Sequence, residues 1–159
     1  MKTQRLQLPN NHKFTGRLIR TFLADDDPFM LALLARLLDK HPRILIVGSA
    51  TDGRKAFHSA ATLRAELVLT DLHMPIVDGV ELARRLKQLP NPPVVYMVTS
   101  DDSSGALTAS VNAGADAFLA KSPDLAIQLQ LALDSSFPTS SEPENRTLSA
   151  TYELANANN

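Results

Sequence analysis

The chain has no cysteine and no tryptophan, and only 5% of its residues are aromatic. Without cysteine there are no disulfides and no thiolate metal sites, which fits a reducing compartment. No apolar stretch approaches the ~20 residues a membrane-spanning helix needs, and the N-terminus lacks a signal-peptide core. The first 20 residues contain no acid and five basic groups, Lys2, Arg5, Lys13, Arg17 and Arg20. Pro9-Asn10-Asn11 interrupts any amphipathic helix there, so a transit peptide is not supported. A net charge of −1 gives no global pull toward nucleic acid or anionic membrane. The expectation is a soluble, cytoplasmic protein that binds neither.

A chain of 159 residues holds one domain and short extensions. Its 44% hydrophobic content supports a core, and 21% charged residues is ordinary for a soluble protein. Residues 1–17 are polar and aperiodic and are expected to form a flexible arm. Residues 134–159, rich in Ser, Asn, Thr and Pro, are expected to be a disordered tail. Between them lie five short apolar runs at 18–24, 44–47, 67–70, 94–98 and 117–120. Each is followed by a helical pattern: from Pro28 to about 41, from Gly53 to 63, 80–89, 104–112, and 123–133. Asp27-Pro28 reads as an N-cap with proline in the first turn. Asp78-Gly79 opens the third helix, and Ser122-Pro123 is expected to cap the last. The runs are continuously apolar, which marks strands buried on both faces of a parallel sheet. Five βα units at 18–133 predict a doubly wound α/β sandwich around a five-stranded parallel sheet.

In such a sheet, ligands bind beyond the carboxyl ends of the strands. The first strand ends in Asp25, Asp26 and Asp27, the third in Asp71, the fourth in Thr99 and Ser100, and the fifth in Lys121. Singly, each has an ordinary explanation: Asp27 is best read as a helix cap, Asp71 as a turn former, Thr99 and Lys121 as surface residues. Jointly these explanations fail, because adjacent strands would crowd carboxylates that repel unless a proton or cation neutralises them. Oxygen-only donors favour a hard ion, Mg²⁺ over Zn²⁺. His12, His41 and His58 show no pairing at metal-ligand spacing.

The segments resemble the receiver domain of two-component response regulators. The resemblance rests on Asp25-Asp26, on Thr70-Asp71-Leu72-His73-Met74-Pro75 with Asp78-Gly79, on Thr99, and on Ala113-Gly114-Ala115-Asp116 leading to Lys121. It implies a flavodoxin-like fold and a role for each residue. Asp71 would be the phosphoacceptor, receiving a phosphoryl group from a sensor histidine kinase or phosphotransfer protein. Asp25, Asp26, Asp71 and the backbone carbonyl of His73 would hold Mg²⁺. Lys121 would pair with Asp71 and then with a phosphoryl oxygen, and Thr99 would move in to bond that group. Phe118 matches the aromatic switch position, with core packing as its ordinary alternative. His73 and Asp101 would tune the phosphorylated lifetime. A homodimer on the face of the fourth helix, fifth strand and fifth helix is plausible on the same grounds. The chain would catalyse only its own phosphorylation and dephosphorylation.

One departure is plain: the family commonly has Pro directly after the Lys, whereas Ser122 intervenes here. Two rival classes fit the residues less well. A phosphoaspartyl hydrolase of the haloacid-dehalogenase kind would need a second Asp two residues after the nucleophile, where His73 stands. A phosphorylation-independent interaction module would not need all five site positions filled. Residues 134–159 have neither the length nor the pattern of a helix-turn-helix output domain. The expected protein is therefore a stand-alone receiver or the receiver part of a DNA-binding regulator.

Overall fold

The structure, a computed structural model, describes residues 17–138. The elements are β1 (Ile19–Ala24), α1 (Pro28–Leu38), β2 (Ile44–Ala50), α2 (Gly53–Thr62), β3 (Leu67–Thr70), α3 (Gly79–Lys87), β4 (Val94–Thr99), α4 (Ser104–Asn112), β5 (Ala117–Ala120) and α5 (Leu125–Ser136). The five strands form one parallel sheet in the order β2-β1-β3-β4-β5. The order reverses direction at β1 and β3, which puts the ends of those two strands side by side.

Alternation along the inner strands sends side chains to two cores. Phe22, Ala24, Val68, Val95 and Met97 pack with Ala56 and Ala60 of α2, Leu82 and Leu86 of α3, and Ala106 of α4. Leu23, Leu67, Leu69, Tyr96 and Val98 face Leu34 and Leu38 of α1 and Leu125, Leu129 and Leu133 of α5. Each fully buried Leu or Val contributes about 1.5–3 kcal/mol of hydrophobic burial. Tyr96 also donates its hydroxyl to the Ala132 carbonyl at 2.7 Å, tying α5 to the sheet.

Burial on both faces holds for β1, β3 and β4 but fails for β2 and β5, which are mostly half-buried. Those two are the edges of the sheet, so each lacks a neighbour on one side. β2 also runs three residues beyond 47. The pairing with β1 skips one residue between Thr21 and Phe22, and Gly48 leaves room for the Phe22 ring, whose Cε2 would lie 2.9 Å from a Cβ there.

Asp27 and Asp78 cap their helices as the sequence implies, and Asp52 and Ser103 do the same for α2 and α4, the four accepting from Phe29, Glu81, Lys55 and Ala106 N–H groups at 2.8–3.2 Å. The last helix departs from expectation. It starts at Leu125, because Ser122 is committed elsewhere: its hydroxyl accepts from Gln128 Nε2 at 3.0 Å, while Gln128 Oε1 accepts from Ala120 N–H at 2.9 Å. The helix also continues to Ser136, three residues past 133, and Phe137 packs against the core of α1 and α5. At the other end Arg17 pairs with Glu66. The rest of the expected arm, and residues 139–159 of the expected tail, lie outside the described residues.

Candidate functional site

The loops that follow β1, β3, β4 and β5 meet at one rim of the sheet. Asp25 follows the end of β1 and Asp71 the end of β3, and the register pairs Ala24 with Thr70 just below them. Main-chain bonds fix both: Asp71 N–H donates to Ala24 carbonyl at 2.8 Å, and Asp25 N–H to Ala50 carbonyl at 3.1 Å. Carboxylate oxygens of Asp25, Asp26 and Asp71 lie within 4.8 Å of one another; Asp25 and Asp71 are buried and Asp26 is exposed.

Lys121, one residue beyond β5, reaches back across the rim. Its Nζ lies 2.8 Å from Asp25 Oδ2 and 3.2 Å from Asp71 Oδ1. Burial by itself would depress the Lys121 pKa, but the carboxylates of Asp25 and Asp71 outweigh it and the net shift is upward. Burial also raises the Asp25 pKa, against the opposing pull of Lys121 and of the Asp27 N–H group. One ammonium therefore serves a cluster of three acids.

Asp25 Oδ2 is fully buried, with the Lys121 ammonium 2.8 Å away as its partner. Three carboxylates against this ammonium leave the cluster short of positive charge. The donor set is all oxygen and carries three negative charges within a few ångströms. It fits a hard divalent cation such as Mg²⁺.

Thr99 is buried at the end of β4, between Asp71 and Lys121 in strand order. Its hydroxyl accepts from Asp101 N–H at 3.1 Å, and its carbonyl from Lys121 N–H at 2.8 Å. Phe118 is half-buried against the core formed with α2, α3 and α4. His73 and Asp101 sit at the mouth and touch: His73 Nε2 lies 3.2 Å from Asp101 Oδ2. Two bonds from Ser103 and this imidazole hold the Asp101 carboxyl below its usual pKa. Nothing local in the sequence pairs these two residues. The available signal was their equal offset, two residues beyond Asp71 and Thr99 on neighbouring strands.

Two glycines at helix starts, Gly53 and Gly79, bear on the site through close backbone contacts that their positions in the sequence do not reveal. A Cβ on Gly79 would lie 2.0 Å from the Asp71 carbonyl oxygen, and one on Gly53 would lie 2.0 Å from the Val77 carbonyl oxygen. The starts of α2 and α3 therefore clamp the segment 71–77 with no room for a side chain. Within that segment Ile76 has φ of 72° and is exposed, an uncommon backbone for a β-branched residue.

A family profile described as the response regulator receiver domain matches residues 21–131. A curated relative from Geobacillus kaustophilus, a protein-glutamate methylesterase/protein-glutamine glutaminase, is 36% identical over 115 residues, covering 71% of this chain and 32% of its own. The chain thus spans about a third of the length of the curated relatives it matches. Among solved structures, the response regulator domain of Thermotoga maritima CheB superposes with a TM-score of 0.63 at 30% identity, covering 76% of this chain and 92% of that one. A LuxR-family two-component response regulator from Aurantimonas sp. SI85-9A1 gives a TM-score of 0.69 at 25% identity, covering 75% and 84%. These matches span the same five βα units whose strand ends gather the acidic cluster, and the chain belongs to the response regulator receiver domain family.

Proposed function

We propose that the chain is a phosphorylation-switched receiver in which Asp71 takes a phosphoryl group from phosphohistidine on a sensor histidine kinase or phosphotransfer protein. The observation that carries this reading is the convergence of Asp25, Asp26, Asp71 and Lys121 at the carboxyl edge of the sheet. A carboxylate oxygen of Asp71 forms the new O–P bond as the P–N bond to the donor imidazole breaks. Held by Asp25, Asp26, Asp71 and the His73 carbonyl, Mg²⁺ would neutralise charge on the transferring oxygens. Lys121, whose ammonium bridges Asp25 and Asp71, pairs with a phosphoryl oxygen once the acyl phosphate forms.

The switch then runs through Thr99. Turning its hydroxyl to the phosphoryl group gives up the bond from Asp101 N–H, so residues 100–103 lose one of their anchors. Phe118, two residues before the end of the adjacent β5, adjusts with that loop. A partner reads the altered surface. On the α4–β5–α5 face Leu107, Val111, Ile127 and Leu131 are exposed, and α4 has no charged residue, which supports self-association there. His73 and Asp101 together screen Asp71 from attacking water. No helix among the described residues is long and apolar enough to cross a membrane, which is compatible with a cytoplasmic role. The decisive experiment is incubation with acetyl phosphate. Intact mass spectra should gain a single phosphoryl group in Mg²⁺ and none in EDTA, with Asp71→Asn folded but unlabelled.

A further inference from the structure

The opposite end of the sheet holds a second feature that the phosphoryl chemistry does not use. An open cavity of about 910 Å³ lies below the start of β1, bounded by the α2–β3 turn and the α3–β4 loop. This falls within the roughly 300–1,000 Å³ of ligand pockets. Three arginines line it, Arg17, Arg20 and Arg64, with Glu66 as the one acid.

The acid is already committed. Glu66 pairs with Arg17 through Oε1 and accepts from Arg20 N–H through Oε2 at 3.2 Å. Among the described residues the Arg20 guanidinium uses only Nε, donating to the Leu63 carbonyl at 2.9 Å. Arg64 is exposed and has no carboxylate partner among the described residues. Its backbone sits at φ of 49° just past the end of α2, which fixes the root of the side chain. The cavity therefore carries two guanidinium forks whose natural complement is a pair of carboxylates. Pro90, Pro92 and Phe137 add apolar wall.

Phe137 also marks where the chain leaves this cavity. Arg43 Nη1 holds its carbonyl at 2.6 Å. Five residues later comes Glu142-Pro143-Glu144, which contributes two of the three acids beyond residue 138. Five residues span about 17 Å when extended, enough to cross a pocket of this size. We propose that this cavity is a carboxylate-binding site whose occupant is the chain's own Glu142-Pro143-Glu144 segment, latched onto Arg64 and Arg20 at the end of the domain remote from Asp71. Single exposed ion pairs are weak, but a short tether keeps the effective concentration near millimolar, so the latch forms in cis where a free peptide would bind feebly.

The absence of native cysteine makes the test clean. A nitroxide placed through Ser141→Cys on the full chain labels one site. At ~0.05 M salt it should broaden the amide signals of Ala61, Arg64 and Asn91, and at ~1 M salt, where the Debye length is about 3 Å, that broadening should be lost. Glu142→Gln with Glu144→Gln, and separately Arg64→Gln, should abolish it at low salt. Broadening that survives these substitutions would mean that tether proximity alone places the label there, and would overturn the proposal. Spin-labelled protein mixed with ¹⁵N-labelled, nitroxide-free protein should give no broadening. If it does, the acidic segment comes from a second chain and the latch in cis is refuted.

Discussion

Gly79→Ala should damage both the fold and the site, although alanine is the better helix former. In an open position the exchange gains up to about 1 kcal/mol of helix propensity. At Gly79, however, the new Cβ would stand 2.0 Å from the Asp71 carbonyl oxygen, 2.9 Å from its carbon and 3.0 Å from Leu72 Cα. Relaxing the first contact to about 3.3 Å requires the start of α3 or the Asp71 peptide to move by roughly 1 Å. Neither is free to do so, since Gly79 N–H donates to Leu72 carbonyl and Asp71 N–H to Ala24 carbonyl, both at 2.8 Å. Overpacking costs about 1–3 kcal/mol, and a clash with backbone atoms belongs in the upper part of that range, about 2–3 kcal/mol, which exceeds the propensity gain. The expected result is a net loss of about 1–2 kcal/mol and a melting point lower by several degrees. A shift of about 1 Å in Asp71, the proposed phosphoacceptor, should also slow labelling by on the order of 10²-fold. Urea melts and acetyl phosphate labelling measure the two effects. Gly105→Ala is the control, because the nearest atom to its Cβ would be Ser103 Oγ at 4.0 Å. That variant should be neutral or stabilised, with labelling unchanged. If Gly79→Ala behaves like Gly105→Ala, the contact between α3 and the Asp71 peptide does not exist and the reasoning fails.

Other expectations concern single residues. Asp26→Ala should reduce the rise in melting temperature that Mg²⁺ induces, and a full rise in the variant would remove Asp26 from the ligand set. His73→Ala should shorten the half-life of the phosphorylated protein, followed by intact mass after donor removal, because it opens the mouth and leaves Asp101 unpaired; an unchanged or longer half-life would rule out the screening role. Asp52→Ala should lower stability at pH 7. The Asp52 carboxyl is held below its usual value of 3.8, chiefly by the Lys55 N–H bond, so its contribution is present above that pH and vanishes as pH falls through the lowered value. Melting curves of variant and wild type should converge in acid, and a gap independent of pH would show that the cap does not act through its charge.

Much of the architecture is readable because local signals agree with the global fold. The aspartates that precede α1, α2 and α3 cap those helices, and Gly114, at φ of 90°, stops α4 where the sequence implies. The cluster of Asp25, Asp26, Asp71 and Lys121 follows from strand-end positions alone once a parallel sheet is assumed. What escapes the sequence depends on contacts between distant residues. Ser122 and Gln128 satisfy each other and delay α5, and a side-chain pair of that kind has no local signature. The length of β2 depends on a register skip opposite Phe22. The contact of His73 with Asp101 requires β3 and β4 to be neighbours in a definite register. The close approach of Gly79 to Asp71 is a steric fact about two segments that the sequence names only as a loop and a helix start.

The most direct test of the central claim is the position of the phosphoryl group itself. Borohydride reduces an acyl phosphate to an alcohol, converting a phosphorylated aspartate to homoserine, which peptide mass spectrometry then locates. After acetyl phosphate treatment in Mg²⁺, homoserine is expected at residue 71 alone. Homoserine at residue 25 or 26, or no conversion in a protein whose intact mass had gained a phosphoryl group, would contradict the assignment of Asp71.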